Sequence, residues 1–164
     1  MADADAYLKA LAERLVADGC AVTHEKLGPK PVVVGYKAQM RALSRMHVFV
    51  VAARTDDRVG EAGLREFTDA AVQMAADRKG QWRGVQSGVI VLPVLVASGA
   101  DESAVALTQR SYRLNAGGFA VLAQPAVVDL TAGQVWTFRG TRIWGYAFNA
   151  LIKQKYARYL PEPV

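Results

Sequence analysis

The feature that most constrains the fold is an apolar segment in the middle of the chain, Val89 to Ala97, which reads VIVLPVLVA. It is much shorter than the roughly 20 residues that a membrane-spanning helix needs. An apolar run of this length is typical of a strand that is buried on both faces. Pro93 removes one backbone donor from that strand, so we expect a bulge or an incompletely paired neighbour there. The segment therefore predicts the central strand of a covered sheet.

A second segment, Met46 to Ala53, has the same nearly continuous apolar character and predicts another buried strand. Apolar residues at three- and four-residue spacing predict a helix after Asp3 or Asp5, a second after Asp56 or Asp57 and a last helix at the end of the chain, and Asp101 caps a shorter helix predicted from Glu102 to about Tyr112. The predicted element order is α-β-β-β-α-β-α-β-β-α. We therefore expect a mixed α/β fold, with a mixed β-sheet flanked by helices, in a single globular domain of residues 1–164.

Composition narrows the class of protein. Hydrophobic residues make up 52% and charged residues 21% of the chain, which is typical of a compact globular protein and not of a disordered one. The single cysteine, Cys20, excludes a disulfide framework and a thiolate metal cluster. The N-terminal segment lacks the basic and apolar regions of a signal peptide, so we expect a cytoplasmic protein with no membrane partner.

Basic residues are unevenly distributed along the chain. The net charge is +5, and no acid lies in residues 26–55 or 130–161. In the first interval Lys37, Arg41 and Arg45 recur every four residues, so a helical turn there would align them on one side. Such a patch would attract phosphate groups or an acidic partner. The three residues are candidate nucleic-acid contacts, and the alternative is an ordinary solvated surface.

The loop before the central strand combines basic, amide, hydroxyl and indole groups. Its candidates for binding an anion or a nucleobase are Trp82, Arg83, Gln86 and Ser87. Ser87 is not the nucleophile of a strand-to-helix elbow, because a strand follows it, and a Walker loop would need Gly-Lys-Ser/Thr before a helix. The alternative is that this loop is only a tight entry into the strand.

The histidines do not predict a metal site. His24 and His47 lie in predicted strands, without a cysteine or a second histidine at ligand spacing, and we interpret them as hydrogen-bonded structural residues. A pocket in which Gln86 and Ser87 meet His47 or Glu25 would instead favour an enzyme. The sequence assigns no catalytic residue, no cofactor and no metal ligand.

The element order resembles the core of the restriction-endonuclease-like superfamily. That family's motif needs an acid on one strand and Asp/Glu-x-Lys on the next, to hold a divalent metal and orient a water. Residues 31–36 and 46–53 contain no acid, so the resemblance lacks the metal-binding motif. The chain also resembles a family of small uncharacterised prokaryotic α/β proteins, which implies no activity, in four segments: RGVQSG at 83–88, PVLV at 93–96, PAVVD at 125–129 and WG at 144–145.

Three functional hypotheses remain open. The first is a non-catalytic binding or interaction protein that self-associates, with an interface supplied by the apolar helix Trp144 to Leu160 and by the strand that Pro93 interrupts. The second is a nucleic-acid-binding protein with a degenerate nuclease-like core, which uses the three basic residues above and Arg83. The third is a small-molecule enzyme with a pocket at Gln86 and Ser87.

Overall fold

A computed structural model of the chain describes residues 3–41, 44–79, 87–110, 112–116, 119–139 and 146–163. The described residues form four helices: α1 (Ala4–Ala17), α2 (Glu61–Lys79), α3 (Glu102–Thr108) and α4 (Tyr146–Tyr159). They also form eight strands: β1 (Ala21–Leu27), β2 (Lys30–Arg41), β3 (Ser44–Arg54), β4 (Ser87–Ala97), β5 (Tyr112–Ala116), β6 (Phe119–Ala123), β7 (Ala126–Asp129) and β8 (Gln134–Trp136).

These strands belong to one mixed sheet. β1, β2 and β3 form an antiparallel meander, and β4 lies parallel to β3 after the crossover through α2. β6 and β7 follow each other along the other side of β4, both parallel to it, and β5 and β8 pair antiparallel with them. The predicted mixed sheet flanked by helices is confirmed, with β4 at its centre. The restriction-endonuclease-like core stays a prediction.

Each face of the sheet has its own apolar core, because successive side chains of a strand point to opposite faces. On one face Leu92 packs in a cluster with Leu15 of α1 and Ile152 of α4. On the other face Val91 packs in a cluster with Leu64 of α2, which α3 also joins. Full burial of one such side chain stabilises the fold by roughly 1.5–3 kcal/mol. We call these two sides of the molecule the α1/α4 layer and the α2/α3 layer.

The predicted irregularity at Pro93 is confirmed. Val91 pairs with Ala123 and Val94 with Ala126 in one continuous register, so the break between β6 and β7 lies beside Pro93. In a parallel ladder the missing N–H of Pro93 would have donated to the carbonyl of Gln124. The hydroxyl of Tyr156 in α4 donates to that carbonyl instead. A buried acceptor is thus satisfied from the neighbouring layer.

The helical turn that would align Lys37, Arg41 and Arg45 is not what the described residues of this interval form. β2 continues to Arg41 and β3 begins at Ser44, and the two strands pair antiparallel. A four-residue spacing fits a strand as well as a helix, because four is a multiple of the two-residue period of a strand. The antiparallel pairing of β2 with β3 favours the strand over the helix here.

The third helix is also shorter than predicted. It ends at Thr108 instead of near Tyr112, and residues 112–116 form β5. The fully buried side chain of Gln124 lies at its C-terminal end, where Nε2 donates to the carbonyls of Thr108 at 2.9 Å and Arg110 at 3.1 Å. This distant residue satisfies carbonyl groups that a longer helix would have bonded itself.

The two elements that suggested a self-association surface are part of the chain's own core. On α4 the apolar side chains of Leu151, Ile152, Tyr156 and Tyr159 are at most 4% exposed. The strand interrupted by Pro93 is β4, which has paired neighbours on both sides. These buried side chains are not available to a second copy, whereas Trp144 and the side chain of Phe148 lie outside the described part of the molecule, so the predicted interface stays a prediction.

Candidate functional site

Asp18 lies at the end of α1, where the chain turns into β1. The apolar side of the helix, formed by Tyr7, Leu11 and Leu15, is buried, and Gly19 with φ of 86° reverses the chain after Asp18. The side chain of Asp18 is only 8% exposed. A carboxylate at a helix C-terminus meets the negative end of the helix dipole and loses hydration, so it needs cations nearby.

Three cations and one hydroxyl converge on this carboxylate. Lys155 Nζ donates to Asp18 Oδ2 at 2.7 Å, and the hydroxyl of Tyr159 donates to the same oxygen. Arg158 NH1 lies 3.1 Å from Asp18 Oδ1. Lys37 Nζ on β2 donates to the backbone carbonyl of Asp18 at 2.7 Å and lies 3.7 Å from Oδ1. We call these five residues the Asp18 cluster.

The spacing on α4 explains why three of these groups meet. Lys155, Arg158 and Tyr159 are separated by three and four residues, so they are neighbours on the helix surface, with Lys155 and Tyr159 buried and Arg158 at the edge of the exposed side. The buried side faces the end of α1, because the neighbouring apolar residues of α4 pack into the same core as Leu15, and Arg158 reaches Asp18 from the edge of that side. The contacts therefore depend on how two helices far apart in the sequence pack together.

The electrostatics of the cluster favour an ionised Asp18. Burial alone would raise the pKa of its carboxyl, but the hydrogen bonds from Lys155 and Tyr159 and the charges of Lys155 and Lys37 outweigh burial and lower that pKa to about 2. Burial and the hydrogen bond to Asp18 raise the pKa of the Tyr159 phenol far above its ordinary value. Asp18 is thus a permanent anion at neutral pH and Tyr159 a permanent donor.

The cluster carries more positive than negative charge. One carboxylate faces three cations, of which Lys155 is 8% exposed while the side chains of Lys37 and Arg158 are 30% and 53% exposed. The two outer cations are oriented by Asp18 and still reach solvent. An anion approaching this surface would meet donors that are already positioned, which reduces the entropy that binding costs.

The two layers of the molecule differ in charge. α4 carries Lys153, Lys155 and Arg158 and no acid. α2 carries more acids than bases, and the acids are Glu61, Glu66, Asp69 and Asp77. The electrostatic potential is therefore expected to be more positive over α4 than over α2.

The structure separates the basic residues that the sequence grouped together. Lys37 belongs to the Asp18 cluster, whereas Arg45 is exposed on the opposite face of the sheet, where its charge acts on the phenol of Tyr36. Burial raises the pKa of Tyr36 and the charge of Arg45 partly opposes that rise. Arg41 ends β2, and its side chain lies outside the described part of the molecule.

The loop candidates are described only in part. Trp82, Arg83 and Gln86 lie outside the described residues, and for Ser87 only the backbone is described, which pairs with Arg45 at the start of β4. The predicted meeting of Gln86 and Ser87 with His47 therefore stays a prediction.

His47 is hydrogen-bonded, as the sequence predicted. It is 3% exposed, and its Nδ1 lies 2.7 Å from the hydroxyl of Tyr36. Glu25, the other residue considered for that pocket, forms an ion pair with Arg78 at the end of α2. The hydrogen bonds from Arg78 and Thr23 lower the pKa of Glu25 although burial opposes them.

The described residues contain neither a metal-ligand cluster nor a membrane-spanning helix. Within them, no three side chains of His, Cys, Asp or Glu come together as metal ligands would. None of the helices in the described ranges combines the length and apolar character that crossing a membrane requires.

Sequence reasoning missed Asp18, Lys155, Arg158 and Tyr159. The available local signals were an acid directly before the glycine that ends α1 and the three- and four-residue spacing on α4. Neither signal predicts that the end of α1 contacts α4. No protein-family profile matches the chain, and no curated protein sequence is detectably similar to it.

Proposed function

We propose that this protein is a non-catalytic binding protein whose ligand is a nucleic acid, held against the α1/α4 layer. The observation that supports this proposal is the Asp18 cluster, in which one buried carboxylate positions more cations than it neutralises. Phosphate groups are the natural partners of such cations, because each oxygen accepts charge-assisted hydrogen bonds.

Binding of this kind has a defined dependence on salt. Each phosphate that a protein neutralises releases condensed counterions, so the logarithm of the affinity falls by about 0.9 per contact for each tenfold rise in salt on duplex DNA. The experiment is fluorescence anisotropy with labelled duplex and single-stranded DNA and RNA, at about 50 and 200 mM salt. We expect binding that weakens steeply over this range.

A matched pair of variants locates the contact. Lys37→Gln with Arg158→Gln removes two charges from the Asp18 cluster, and Arg58→Gln with Arg65→Gln removes two from the α2/α3 layer. We expect the first variant to lose about two units of salt slope on duplex DNA and the second to keep the wild-type slope. Absence of wild-type binding at the lower salt, or an equal loss in both folded variants, would contradict the proposal.

Self-association is the second candidate, through β1. Among the described residues β1 pairs only with β2, so its outer edge, Ala21 to Leu27, presents backbone donors and acceptors without a strand partner there. A second copy could add to this edge in antiparallel pairing about a two-fold axis. Light scattering over a range of protein concentrations tests this pairing. The variant His24→Asp places two like charges near the two-fold axis, so we expect it to lower the fraction of dimer. A constant monomer mass would exclude it.

A further inference from the structure

The outward side of α4 has an unusual composition for an exposed helix. Over residues 150–159, the part of α4 whose side chains are described, the inner side is buried and five positions at helical spacing are exposed: Ala150, Lys153, Gln154, Ala157 and Arg158. They contain two cations, one amide and two alanines, and no acid. The alanines leave room for close approach to the helix, and the three longer side chains are all donors.

The charges around this stripe favour an anionic partner. Two acids lie beside α4 in the described part of the molecule: Asp18, which is already engaged by three cations, and Glu162, which lies just after the helix. Glu162 lines a surface groove of about 400 Å³ together with Arg139 and Lys153. The described side chains on and beside α4 therefore carry a surplus of positive charge on both flanks of the stripe.

We propose that the outward stripe of α4 enters the major groove of duplex DNA. This inference rests on the proposed function, and it names the element that makes the contact and the form of the nucleic acid. The major groove of B-DNA is about 12 Å wide and admits an α-helix with its side chains, whereas the major groove of an RNA duplex is too narrow for side chains to read. The charge complementarity and the small alanines fit that occupant.

The three polar residues of the stripe then have separate roles. Arg158 is held by Asp18 at 3.1 Å and contacts a phosphate, because its orientation is fixed from within the protein. Lys153 contacts the opposite side of the groove. Gln154 lies next to Lys153 on the exposed face, and its amide has the donor and acceptor that recognise an adenine edge. Gln154 is the residue that contributes sequence preference.

The test introduces an acid into the stripe and an identical acid elsewhere. Ala157→Glu places a carboxylate on the outward side of α4, and the matched control Ala62→Glu makes the same change at an exposed position of α2. The probes are a labelled DNA duplex, its single strand and the corresponding RNA duplex, with the fold of each variant checked by circular dichroism. We expect Ala157→Glu to weaken binding to duplex DNA by about tenfold or more and Ala62→Glu to leave it unchanged.

Gln154→Ala separates base reading from charge. We expect the variant to keep the salt slope of the wild type. In duplexes selected from a random library, we expect the affinity ratio between the preferred and the other base pairs at one position to fall by about tenfold. Unchanged discrimination in this variant would overturn the role given to Gln154.

The outcomes distinguish the inference from the function on which it rests. If the wild type binds DNA with a steep salt slope but Ala157→Glu and Ala62→Glu behave alike, the helix contact is overturned and the proposed function stands. If Ala157→Glu weakens duplex DNA, single strand and RNA duplex equally, the contact is with the backbone alone and the major-groove placement is overturned. If the wild type binds none of the probes, both proposals fail.

Discussion

The two layers of this molecule use charge in different ways. In the α1/α4 layer, Lys155 and Asp18 form an ion pair whose side chains are both 8% exposed. In the α2/α3 layer, Arg65 and Glu61 lie at a similar distance, 2.7 Å, but their side chains are 44% and 40% exposed. Distance alone does not separate the two pairs. Solvent access does, because water screens the second pair and not the first.

Solvent access also determines how much each ion pair contributes to stability. An exposed ion pair contributes roughly 0–1 kcal/mol to the free energy of unfolding, because water hydrates each charge well when its partner is removed. Removal of one partner of a buried pair leaves a charge without hydration or a counterion, which costs about 3–5 kcal/mol. Both layers depend on apolar burial. The α2/α3 layer should tolerate the loss of a charge, whereas the α1/α4 layer should not tolerate the loss of Asp18 alone.

The largest effect is expected for Asp18→Asn. The substitution keeps the size of the side chain but leaves the buried Lys155 without a counterion, so we expect the free energy of unfolding to fall by about 3–5 kcal/mol in urea denaturation. The double variant Asp18→Asn with Lys155→Met removes both buried charges and should recover a large part of this loss. A single substitution that costs under about 1 kcal/mol would show that the pair is effectively solvated.

Acid should remove a smaller part of the same stability. The pKa of Asp18 is about 2 in the folded protein, against an ordinary value of 3.8 that applies when the chain is unfolded. Because the folded-state value is depressed, the stabilisation is complete above pH 3.8 and is lost as the pH falls towards 2, by about 2 kcal/mol in total. Urea denaturation between pH 5 and about 2 checks this: the difference between wild type and Asp18→Asn should shrink over that window. A constant difference would exclude the assigned pKa.

The sequence predicted the parts of the fold that depend on local pattern. Val89 to Ala97 and Met46 to Ala53 both form central strands, because a long apolar run has few places in a folded protein other than the middle of a covered sheet. The incomplete pairing beside Pro93 was also predicted correctly, because a missing N–H removes one inter-strand hydrogen bond wherever the strand lies in the sheet.

The candidate site depended on information that local pattern does not contain. The even spacing of Lys37, Arg41 and Arg45 is compatible with both helix and strand, and only the hairpin partner across β2 and β3 settles which one forms. Asp18 and Lys155 are 137 residues apart, and their contact follows from the packing of α4 against the end of α1. One of the three predicted basic residues, Lys37, does contribute to the Asp18 cluster, but through partners that the sequence did not indicate.

The smallest effect is expected for Glu61→Gln in the α2/α3 layer, and it gives the sharpest test of the contrast. Glu61 lies in the first turn of α2, 2.7 Å from Arg65 and 3.7 Å from Arg110, so the substitution removes two exposed ion pairs and a favourable charge at a helix N-terminus. We expect a loss of about 1 kcal/mol or less at low salt. About 1 M salt shortens the screening length to roughly 3 Å, so most of that loss should vanish in urea denaturation at high salt. Under the same conditions the loss caused by Asp18→Asn should persist, because salt does not reach the buried Lys155. If both losses vanished together, the burial of the Asp18 cluster would not be what distinguishes the two layers.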